Sequence, residues 1–282
     1  MKIGSKEFDT VNETYIMGIL NITPDSFSDG GKYYKPESAL VRAKWMMEEG
    51  ASIIDIGGES TRPGHTPISD QEEIERIVPV IEKIKANLDV PVSVDTYKSA
   101  VAKAAVEAGV DLINDVWGLK HDEGVAEVIA QHDLPCILMH NRENTDYEDF
   151  MKEVFQDMEQ SISIARKAGI AEDKIILDPG IGFAKTYDMC LEVLKYLEDF
   201  HRFGYPLLLG SSRKSVIGNA LNLPVMERVE GTLVTTVMAV MKRYTFVRVH
   251  DIKENLRAIK MTQAILQSDS FGFHGMMQTM TE

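Results

Sequence analysis

The chain has 282 residues with a formal net charge of -14, 44% hydrophobic residues and 26% charged residues. This composition is typical of a globular protein with a large core, and the acidic charge opposes binding to nucleic acid or to an anionic membrane. We therefore expect neither as a partner, and an anionic substrate would need a local cluster of positive groups. The two cysteines form no CxxC pair and no apolar signal segment begins the chain, so we expect a cytoplasmic protein.

Short apolar runs alternate with longer amphipathic runs, and this alternation predicts the secondary structure in chain order. The apolar runs predict strands at residues 15–21, 52–56, 91–94, 111–114, 135–139, 175–177, 206–209 and 246–249. The amphipathic runs predict helices at residues 38–49, 70–87, 99–108, 124–132, 147–168, 189–200, 227–241 and 252–266. Strands that are apolar throughout are typical of a parallel sheet that is buried on both faces.

Eight β-α units without a long linker predict an α/β fold, a single (β/α)8 TIM barrel, over residues 1–267. No glycine fingerprint follows the first strand, which disfavours a doubly wound nucleotide-binding sheet. Residues 268–282 show no period, and we expect them to form a loose C-terminal tail.

Local signals predict where several helices begin and end. Residues 69–72 and 251–254 both match the capping-box pattern, with Ser69 and Asp251 as the N-caps. The C-caps are expected at three glycines, Gly50, Gly109 and Gly169. Pro79 lies inside the second predicted helix and should kink it.

Polar residues follow the ends of the predicted strands, where a barrel of this type places its active site. The eight strand ends carry Asn21, Gly57–Gly64, Asp95, Asn114, His140, Asp178, Lys214, and Arg248 with His250. Any one of these side chains could serve as a helix cap or a turn residue. That explanation does not account for carboxylate, amide and cationic groups on one rim, so we predict a polar site there.

Eight segments resemble, in the same order, the motifs of the dihydropteroate synthase family. They are residues 17–31, 57–64 (GGESTRPG), 93–96 (SVDT), 113–115 (IND), 138–140 (LMH), 178–183 (DPGIGF), 212–215 (SRKS) and 248–250 (RVH). The resemblance implies a homodimeric transferase of folate biosynthesis, a target of sulfonamides, that joins dihydropterin pyrophosphate to p-aminobenzoate. Ala184 stands where many members have glycine, and Trp117 stands in a loop that is often smaller; neither is expected to touch the substrate-binding residues.

The resemblance implies a pterin site built from carboxylate, amide, ammonium and apolar groups. A carboxylate can accept two N–H groups from the amino-pyrimidinone edge of the ring, and Asp178 is expected to do so. The pterin-binding residues are expected to be Asp95, Asn114, Met139, Asp178, Phe183 and Lys214. Of these, Met139 and Phe183 would form apolar walls, and Lys214 would donate to the ring.

The resemblance also implies a site for the pyrophosphate leaving group and its cation. The pyrophosphate-binding residues are expected to be Asn21, Thr61, Arg248 and His250. Arg248 and His250 are two residues apart on the last strand, so they should point to the same face. Mg²⁺ is the expected cofactor, with Asn21 as its single protein ligand, because this ion prefers waters and phosphate oxygens to a protein cage.

The p-aminobenzoate site is expected at two loops, residues 23–31 and 60–66, which should be mobile in the empty protein. Its residues are expected to be Phe27, Arg62, Pro63, Phe183, Lys214 and Ser215, with the substrate carboxylate near the helix start at Ser215. In the family's mechanism, pyrophosphate leaves to give a pterin methylene cation, which the arylamine then attacks. The expected catalytic residues are Asp29, Asp95, Asp178 and Lys214, and no nucleophilic residue is required.

Two other functions remain possible from the sequence. One is a pterin-binding barrel without this catalysis, or a methyltetrahydrofolate methyltransferase domain that shares the pterin pocket. Residues 61–63 (TRP) and 212–215 (SRKS) argue against it, because such proteins lack the corresponding loops. The other is a Schiff-base aldolase with Lys214 as nucleophile, which borohydride trapping with a carbonyl substrate would detect.

Overall fold

A parallel barrel surrounded by helices forms the protein, for which a computed structural model describes residues 1–22, 36–60 and 66–268. Within these residues the strands are β1 (Lys2–Ile3), β2 (Lys6–Glu7), β3 (Tyr15–Asn21), β4 (Ile53–Gly57), β5 (Val92–Asp95), β6 (Leu112–Asp115), β7 (Cys136–Met139), β8 (Ile175–Asp178), β9 (Leu208–Leu209) and β10 (Phe246–Val249). The α-helices are α1 (Pro36–Glu49), α2 (Asp70–Asn87), α3 (Ser99–Glu107), α4 (Gly124–Gln131), α5 (Phe150–Ala168), α6 (Tyr187–Lys195), α7 (Ser215–Leu221), α8 (Val229–Met241) and α9 (Ile252–Leu266).

The eight strands β3 to β10 are parallel neighbours in the order β8-β7-β6-β5-β4-β3-β10-β9. A bridge between Leu177 and Leu207 joins the two ends of this sheet, so the strands enclose a barrel. Each parallel pair needs a crossover connection, which the helices supply. The predicted TIM barrel is therefore confirmed, and its βα loops open at the C-terminal ends of the strands.

The N-terminal hairpin of β1 and β2 closes the opposite end of the barrel. Ile3 and Phe8 are buried against one inward-facing layer of apolar side chains, formed by Met17, Ile53, Leu112, Ile137, Ile176, Leu208 and Phe246. The ring of Phe8 lies edge-on to Tyr15, with 4.8 Å between centroids, and 5.6 Å from the ring of Phe246. Strands of two residues have no detectable period, so the sequence pattern did not predict this hairpin.

Phe8→Ala should lower the free energy of unfolding by about 3 to 5 kcal/mol, because it leaves a cavity at the closed end of the barrel. Substrate affinity should not change, since the polar strand ends lie at the opposite end. Urea unfolding of the variant measures the effect. The matched control is Val11→Ala, because Val11 follows the same hairpin but is exposed. Equal stability of the two variants would contradict the role of Phe8 as a plug.

Most of the predicted helix ends are confirmed. The Ser69 side chain accepts a hydrogen bond from the Glu72 backbone N–H, as an N-cap does. Gly50, Gly109 and Gly169 have φ angles of 110°, 99° and 89°, values that glycine adopts without strain at a helix end.

The capping box predicted at Asp251 is wrong. Its carboxylate makes no cap hydrogen bond and instead pairs with the guanidinium of Arg213, which donates through Nε at 2.9 Å. A cation from a distant loop competes better for the carboxylate than the helix N–H groups do, because the charged hydrogen bond is stronger. Pro79 lies on the exposed face of α2, which continues to Asn87, and the kink expected there stays a prediction.

Other differences from the predicted elements concern the C-terminal half of the barrel. The helix expected at 189–200 is two elements, α6 and a 3-10 helix at Leu197–Phe203. The short α7 was predicted only as a helix start at Ser215, which is where it begins. The loop segments 23–31 and 61–65 and nearly all of the predicted tail lie outside the described residues, and the expected domain limits stay predictions. No helix in the described ranges is long and apolar enough to cross a membrane.

Candidate active site

Polar side chains line the inner wall of the barrel near its C-terminal end. The pairing register places Asn21, Gly57, Asp95 and Asn114 side by side on four neighbouring strands. Because side chains two residues apart on a strand share a face, Asp55 and Ser93 lie one layer deeper. Asp55, Ser93, Asp95 and Asn114 are all buried. The barrel interior therefore changes from the apolar layer at its closed end to a polar layer over two rows of side chains. We call this polar layer, which includes Asp55, Ser93, Asp95 and Asn114, the polar floor.

The Arg248 guanidinium lies between two carboxylates of this floor. Its Nε donates to Asp55 Oδ2 at 2.6 Å, and its Nη2 donates to Asp95 Oδ2 at 2.8 Å. Burial raises the pKa of the Asp95 carboxyl and the Asp55 charge adds to the rise, while Arg248 opposes it. Burial lowers the pKa of Arg248, but Asp55 and Asp95 together outweigh this effect and raise the pKa above its usual range, so Arg248 keeps its charge. This arrangement supplies the local positive group that an acidic chain needs to bind an anion.

Asp178 ends β8 with a buried carboxylate whose two oxygens have different surroundings. Oδ1 accepts a hydrogen bond from the Gly180 backbone N–H at 2.8 Å. Oδ2 lies 3.3 Å from the position that a Cβ on Gly210 would occupy, so a larger residue at 210 would crowd it. Burial raises the pKa of Asp178, and the Lys214 ammonium is the main opposing influence. One oxygen thus holds the loop, and the other lies beside Gly210 at the end of β9.

Lys214 stands immediately before α7, with its ammonium over the mouth of the barrel. It donates to the Ile181 carbonyl oxygen and lies 4.5 Å from the centroid of the Phe183 ring. Burial lowers the pKa of Lys214 to about 8, because the attraction of Asp178 only partly offsets the loss of solvent. The fold thus brings together Asp178, Phe183 and Lys214, and their role in binding a pterin stays a prediction.

Lys185 holds the β8–α6 loop from within and was not predicted. Its ammonium donates to the carbonyl oxygens of Gly180 and Phe183, both at 3.1 Å, and contacts His140 Nδ1 at 2.6 Å. The His140 ring therefore accepts at Nδ1, and its Nε2 faces Asp157 Oδ2 at 3.1 Å. Burial lowers the pKa of His140 to about 3 and that of Lys185 to about 7. His140 is thus a neutral link in the wall and not an acid.

An apolar cluster forms one wall of the mouth. Tyr97, Val116 and Met139 are buried together, and Trp117 and Phe183 pack against them. Met139 and Phe183 therefore share a surface, as expected for two walls of a ring pocket. Trp117 packs against this cluster, and the expectation that it does not touch the substrate-binding residues stays a prediction.

Ala184 adopts φ 45°, in the left-handed region that glycine tolerates best. The glycine that many family members are expected to carry there would remove this strain. The Ala184 carbonyl oxygen accepts a hydrogen bond from the Tyr147 hydroxyl at 2.8 Å. That side-chain contact fixes the loop and offsets part of the cost of the conformation.

The residues predicted to bind pyrophosphate are only partly described. Asn21 is at the tip of β3, half-buried, with its Oδ1 3.5 Å from the position of a Cβ on Gly57. His250 follows β10, and its Nδ1 lies 3.0 Å from Ser212 Oγ. Thr61, like Phe27, Asp29, Arg62 and Pro63 of the other predicted sites, lies outside the described residues. Ser215 is described, exposed, and the first residue of α7.

A second cluster of charges lies under the start of the β4–α2 loop. Lys98 Nζ contacts Glu59 Oε2 at 2.6 Å and Glu73 Oε2 at 2.8 Å, and it also donates to the Ile68 carbonyl oxygen. The Tyr97 hydroxyl donates to Glu59 Oε1 at 2.7 Å. Glu59 belongs to the GGESTRPG segment, and these contacts assign it to the support of the loop ends.

Two residues of the site, Asp55 and Lys185, were not predicted from the sequence. Asp55 is a carboxylate inside an apolar strand. It precedes Gly57 by two residues, so the two lie on the same face of the strand. A charge at such a position needs a buried partner, so it could have been identified. Lys185 gave no signal, because a lysine in a loop is usually solvated.

A family model described as pterin binding enzyme matches residues 17–250 of the chain. The chain belongs to the pterin binding enzyme family. The match includes the strand ends and loops that carry the polar floor. It confirms the expected resemblance.

Relatives of the pterin binding enzyme family resemble the chain over nearly its whole length. The dihydropteroate synthase of Clostridium beijerinckii is 57% identical over 268 residues, which are 95% of this chain and 100% of that protein. A crystal structure of dihydropteroate synthase from Clostridium difficile, in the presence of pteroic acid, has a TM-score of 0.90 and 48% identity and covers 93% of this chain and 100% of that one. The Yersinia pestis enzyme with a sulfonamide drug has a TM-score of 0.89 and 40% identity, with 95% and 99% covered.

Proposed function

We propose that the chain is a dihydropteroate synthase, which condenses 6-hydroxymethyl-7,8-dihydropterin pyrophosphate with p-aminobenzoate to 7,8-dihydropteroate and pyrophosphate. The observation that carries the proposal is the polar floor beside an apolar wall. Asp95, Asn114 and Asp178 supply buried acceptors and an amide, and Met139 and Phe183 supply a flat apolar surface. A planar ring with N–H groups along one edge fits between them. The structure of a relative with 48% identity, in the presence of pteroic acid, supports the same ligand class.

The acceptors of the floor match the edge of a dihydropterin. Asp178 Oδ2 would accept from the amino-pyrimidinone N–H groups, because Oδ1 is engaged by Gly180. Asp95 Oδ1 is buried without a hydrogen-bond partner within the described part of the chain, so it can accept from the ring. Lys214 would donate to a ring carbonyl or nitrogen from above Phe183.

The pyrophosphate would lie at the Asn21 and Arg248 side of the floor. Arg248 supplies a permanent positive charge there, and the Asn21 amide supplies one neutral oxygen at the tip of β3. Within the described ranges, no group of three or more His, Cys, Asp or Glu side chains could hold a metal ion. A single amide oxygen suits Mg²⁺ that keeps waters and phosphate oxygens as its other ligands. When bound, Mg²⁺ would stabilise the negative charge of the leaving group.

The remaining residues of the chain act by electrostatics and by positioning. The carboxylates Asp95 and Asp178 would stabilise the positive charge of the pterin cation electrostatically, and because both are held by hydrogen bonds they would need little reorganisation to do so. The p-aminobenzoate amine would attack from the side of Phe183, with the substrate carboxylate toward Lys214 and Ser215. Phe27, Asp29, Arg62 and Pro63 stay proposed contributors to this half of the site.

Release of pyrophosphate tests the proposed function directly. Mixing the purified protein with dihydropterin pyrophosphate, p-aminobenzoate and Mg²⁺ should release one pyrophosphate for each dihydropteroate formed. The methyltransferase alternative predicts no pyrophosphate and instead the transfer of a methyl group from methyltetrahydrofolate. Binding of the pterin without turnover would identify a non-catalytic pterin-binding barrel and contradict the proposal.

Chelation of Mg²⁺ with EDTA should stop pyrophosphate release but leave the melting temperature of the substrate-free protein unchanged. The reason is that the barrel core holds the fold, and the ion would have only one protein ligand. Differential scanning calorimetry with and without the chelator measures the second effect. A large fall in the melting temperature would indicate a structural metal and a different site.

A homodimer is proposed from exposed apolar side chains on two packed helices. Val234 and Met241 on α8, and Met261 and Ile265 on α9, are each more than half exposed. Val234→Glu should convert a dimer to a monomer, as measured by analytical ultracentrifugation, because it places a charge in the contact. The control is Val41→Glu on α1, which should leave the mass unchanged. A monomeric wild-type protein would overturn this proposal.

A reducing, cytoplasmic location is also proposed, and the two cysteines support it. Cys136 and Cys190 are both buried free thiols, and burial raises their pKa values, so neither reacts readily. Fractionation of the native cells with an antibody against the protein tests this location, and recovery outside the cytoplasm would contradict it.

A further inference from the structure

We propose that Asp55 is a positioning residue for the pterin pyrophosphate, holding the Asn114 amide and the Arg248 guanidinium in the orientations that bind it. The proposal rests on the proposed function and adds a residue to it. Asp55 lies on β4, Asn114 on β6 and Arg248 on β10, so one carboxylate connects three strands of the barrel. None of the sequence motifs that carry the family resemblance includes it.

The contacts of Asp55 are made by one oxygen. Its Oδ2 accepts from Arg248 Nε at 2.6 Å and from Asn114 Nδ2 at 3.3 Å. The side chain is fully buried, so water does not compete for these bonds. Both donors belong to side chains that would meet the substrate, and both are fixed from behind by the same atom.

The contact determines which group Asn114 presents to the ring. An amide can rotate to offer either its oxygen or its NH₂ group, and a carboxylate can only accept. Asp55 therefore selects the rotamer in which Nδ2 points into the barrel wall and Oδ1 remains available to a ligand N–H. Without Asp55 the Asn114 amide could rotate by half a turn, and its NH₂ group would then face the N–H donor of the ligand.

The contact also fixes the plane of the Arg248 guanidinium. Asp55 holds Nε and Asp95 holds Nη2, so two edges of the group are occupied. When Asp95 Oδ1 accepts from the ring, its Oδ2 can keep its bond to Nη2, and Asp55 balances part of the guanidinium charge. The cation would then remain aimed at the pyrophosphate.

The unpaired oxygen of Asp55 argues against a purely structural role. Asp55 Oδ1 is buried without a hydrogen-bond partner in the described part of the chain, as are Ser93 Oγ and Asp95 Oδ1. Leaving a buried acceptor unpaired lowers stability, and a buried ion pair often contributes less than an apolar pair of the same size. Such costs are concentrated at functional sites. The three unpaired atoms lie on the neighbouring strands β4 and β5, and they mark this part of the polar floor as a functional site.

A double-mutant cycle tests whether Asp55 acts through its two partners. The readout is the affinity for dihydropterin pyrophosphate without p-aminobenzoate, measured by calorimetry on Asp55→Asn, Asn114→Ala, Arg248→Ala and the two double variants. Asp55→Asn should weaken binding by about 10- to 100-fold in the wild-type background. In the Asn114→Ala or Arg248→Ala background the same change should cost clearly less than in the wild-type background, because one of the two groups that Asp55 positions is gone. The KM for p-aminobenzoate should stay within about twofold, which is the split expected when only pterin binding is affected.

Two controls separate positioning from loss of structure. Asp111→Asn removes a partly buried carboxylate that also pairs with a cation, Lys85, but at the opposite end of the barrel. It should lower the melting temperature and leave pterin affinity unchanged. Asp55→Ser, which leaves room for a water molecule, repeats the cycle if Asp55→Asn does not fold. Additive losses in the cycle, or unchanged pterin affinity in Asp55→Asn, would overturn the inference while the proposed function stands. A wild-type protein that binds no pterin pyrophosphate would overturn both.

Discussion

Asp178→Asn should reduce the affinity for the pterin substrate by about two orders of magnitude or more, the loss expected when a charged hydrogen bond is replaced by a repulsive contact. The substitution keeps the size of the side chain. Its amide oxygen can still accept from the Gly180 N–H, as Oδ1 does now at 2.8 Å. The amide NH₂ then takes the place of Oδ2 and faces the N–H groups of the ring.

The consequence is specific to recognition, because the fold should tolerate the change. Burial raises the pKa of Asp178, so a neutral side chain at this position has a smaller solvation cost than the charged one. The variant should therefore melt at or above the temperature of the wild-type protein and still fail to bind pterin. A loss of affinity that accompanies a large loss of stability would indicate damage to the loop and not a lost acceptor.

Calorimetric titration with the pterin substrate measures the effect of Asp178→Asn. The matched control is Asp157→Asn, which removes a carboxylate from the same wall but from the far side of His140. That variant should bind pterin with an affinity within about threefold of wild type, because its partners do not face the floor. Unchanged pterin affinity in Asp178→Asn would remove this carboxylate from the site.

The barrel could be predicted from the sequence because its signals are local. The β10 strand occurs at the residues that the apolar run predicted, and α2 begins and ends where its cap and its period indicated. The hairpin of β1 and β2 was missed, since it is stabilised by Phe8 against Phe246 and not by its own pattern. Asp251 shows the same limit, because a distant arginine competed with a local capping rule.

The candidate site could be predicted as a set of strand ends but not as a network. The register alone places Asp95 beside Asn114, and the order of the motifs supplied the ligand class. One of the two carboxylate partners of Arg248 is Asp55, which is 193 residues away in sequence, and no local pattern reports such a contact. Lys185 was also missed, since its burial depends on how the β8–α6 loop folds over it.

Turnover should fall as the pH rises above about 8, because Lys214 would lose the proton that gives it its charge. Burial lowers the pKa of Lys214 to about 8. A lysine is charged below its pKa, so the ammonium that donates to the pterin is present at neutral pH and is lost through the range 7 to 9. Plots of kcat/KM for the pterin substrate report the free enzyme, and they should show an alkaline limb with a midpoint near 8.

Substitution of Lys214 assigns the limb to this residue. Lys214→Met should lower kcat/KM by about 100- to 1000-fold, the loss expected when one stabilising charge is removed from an active site. Lys214→Arg should retain more activity, and its alkaline limb should disappear because a guanidinium stays charged over the whole range. The charged and titratable groups that influence Lys214 are Asp178, Arg248, Cys190 and Asp95.

Lys185 is the group most easily confused with Lys214 in such a profile, since burial lowers its pKa to about 7. Its ammonium contacts His140 and two loop carbonyl oxygens, so it should affect the shape of the loop and not the charge that meets the ring. Lys185→Arg should therefore keep the alkaline limb near 8, whereas Lys214→Arg should lose it. The reverse result would transfer the titration to Lys185 and leave Lys214 as a neutral donor at the barrel mouth. In that case the positive charge of the pterin site would come from Arg248 alone among the residues of the polar floor.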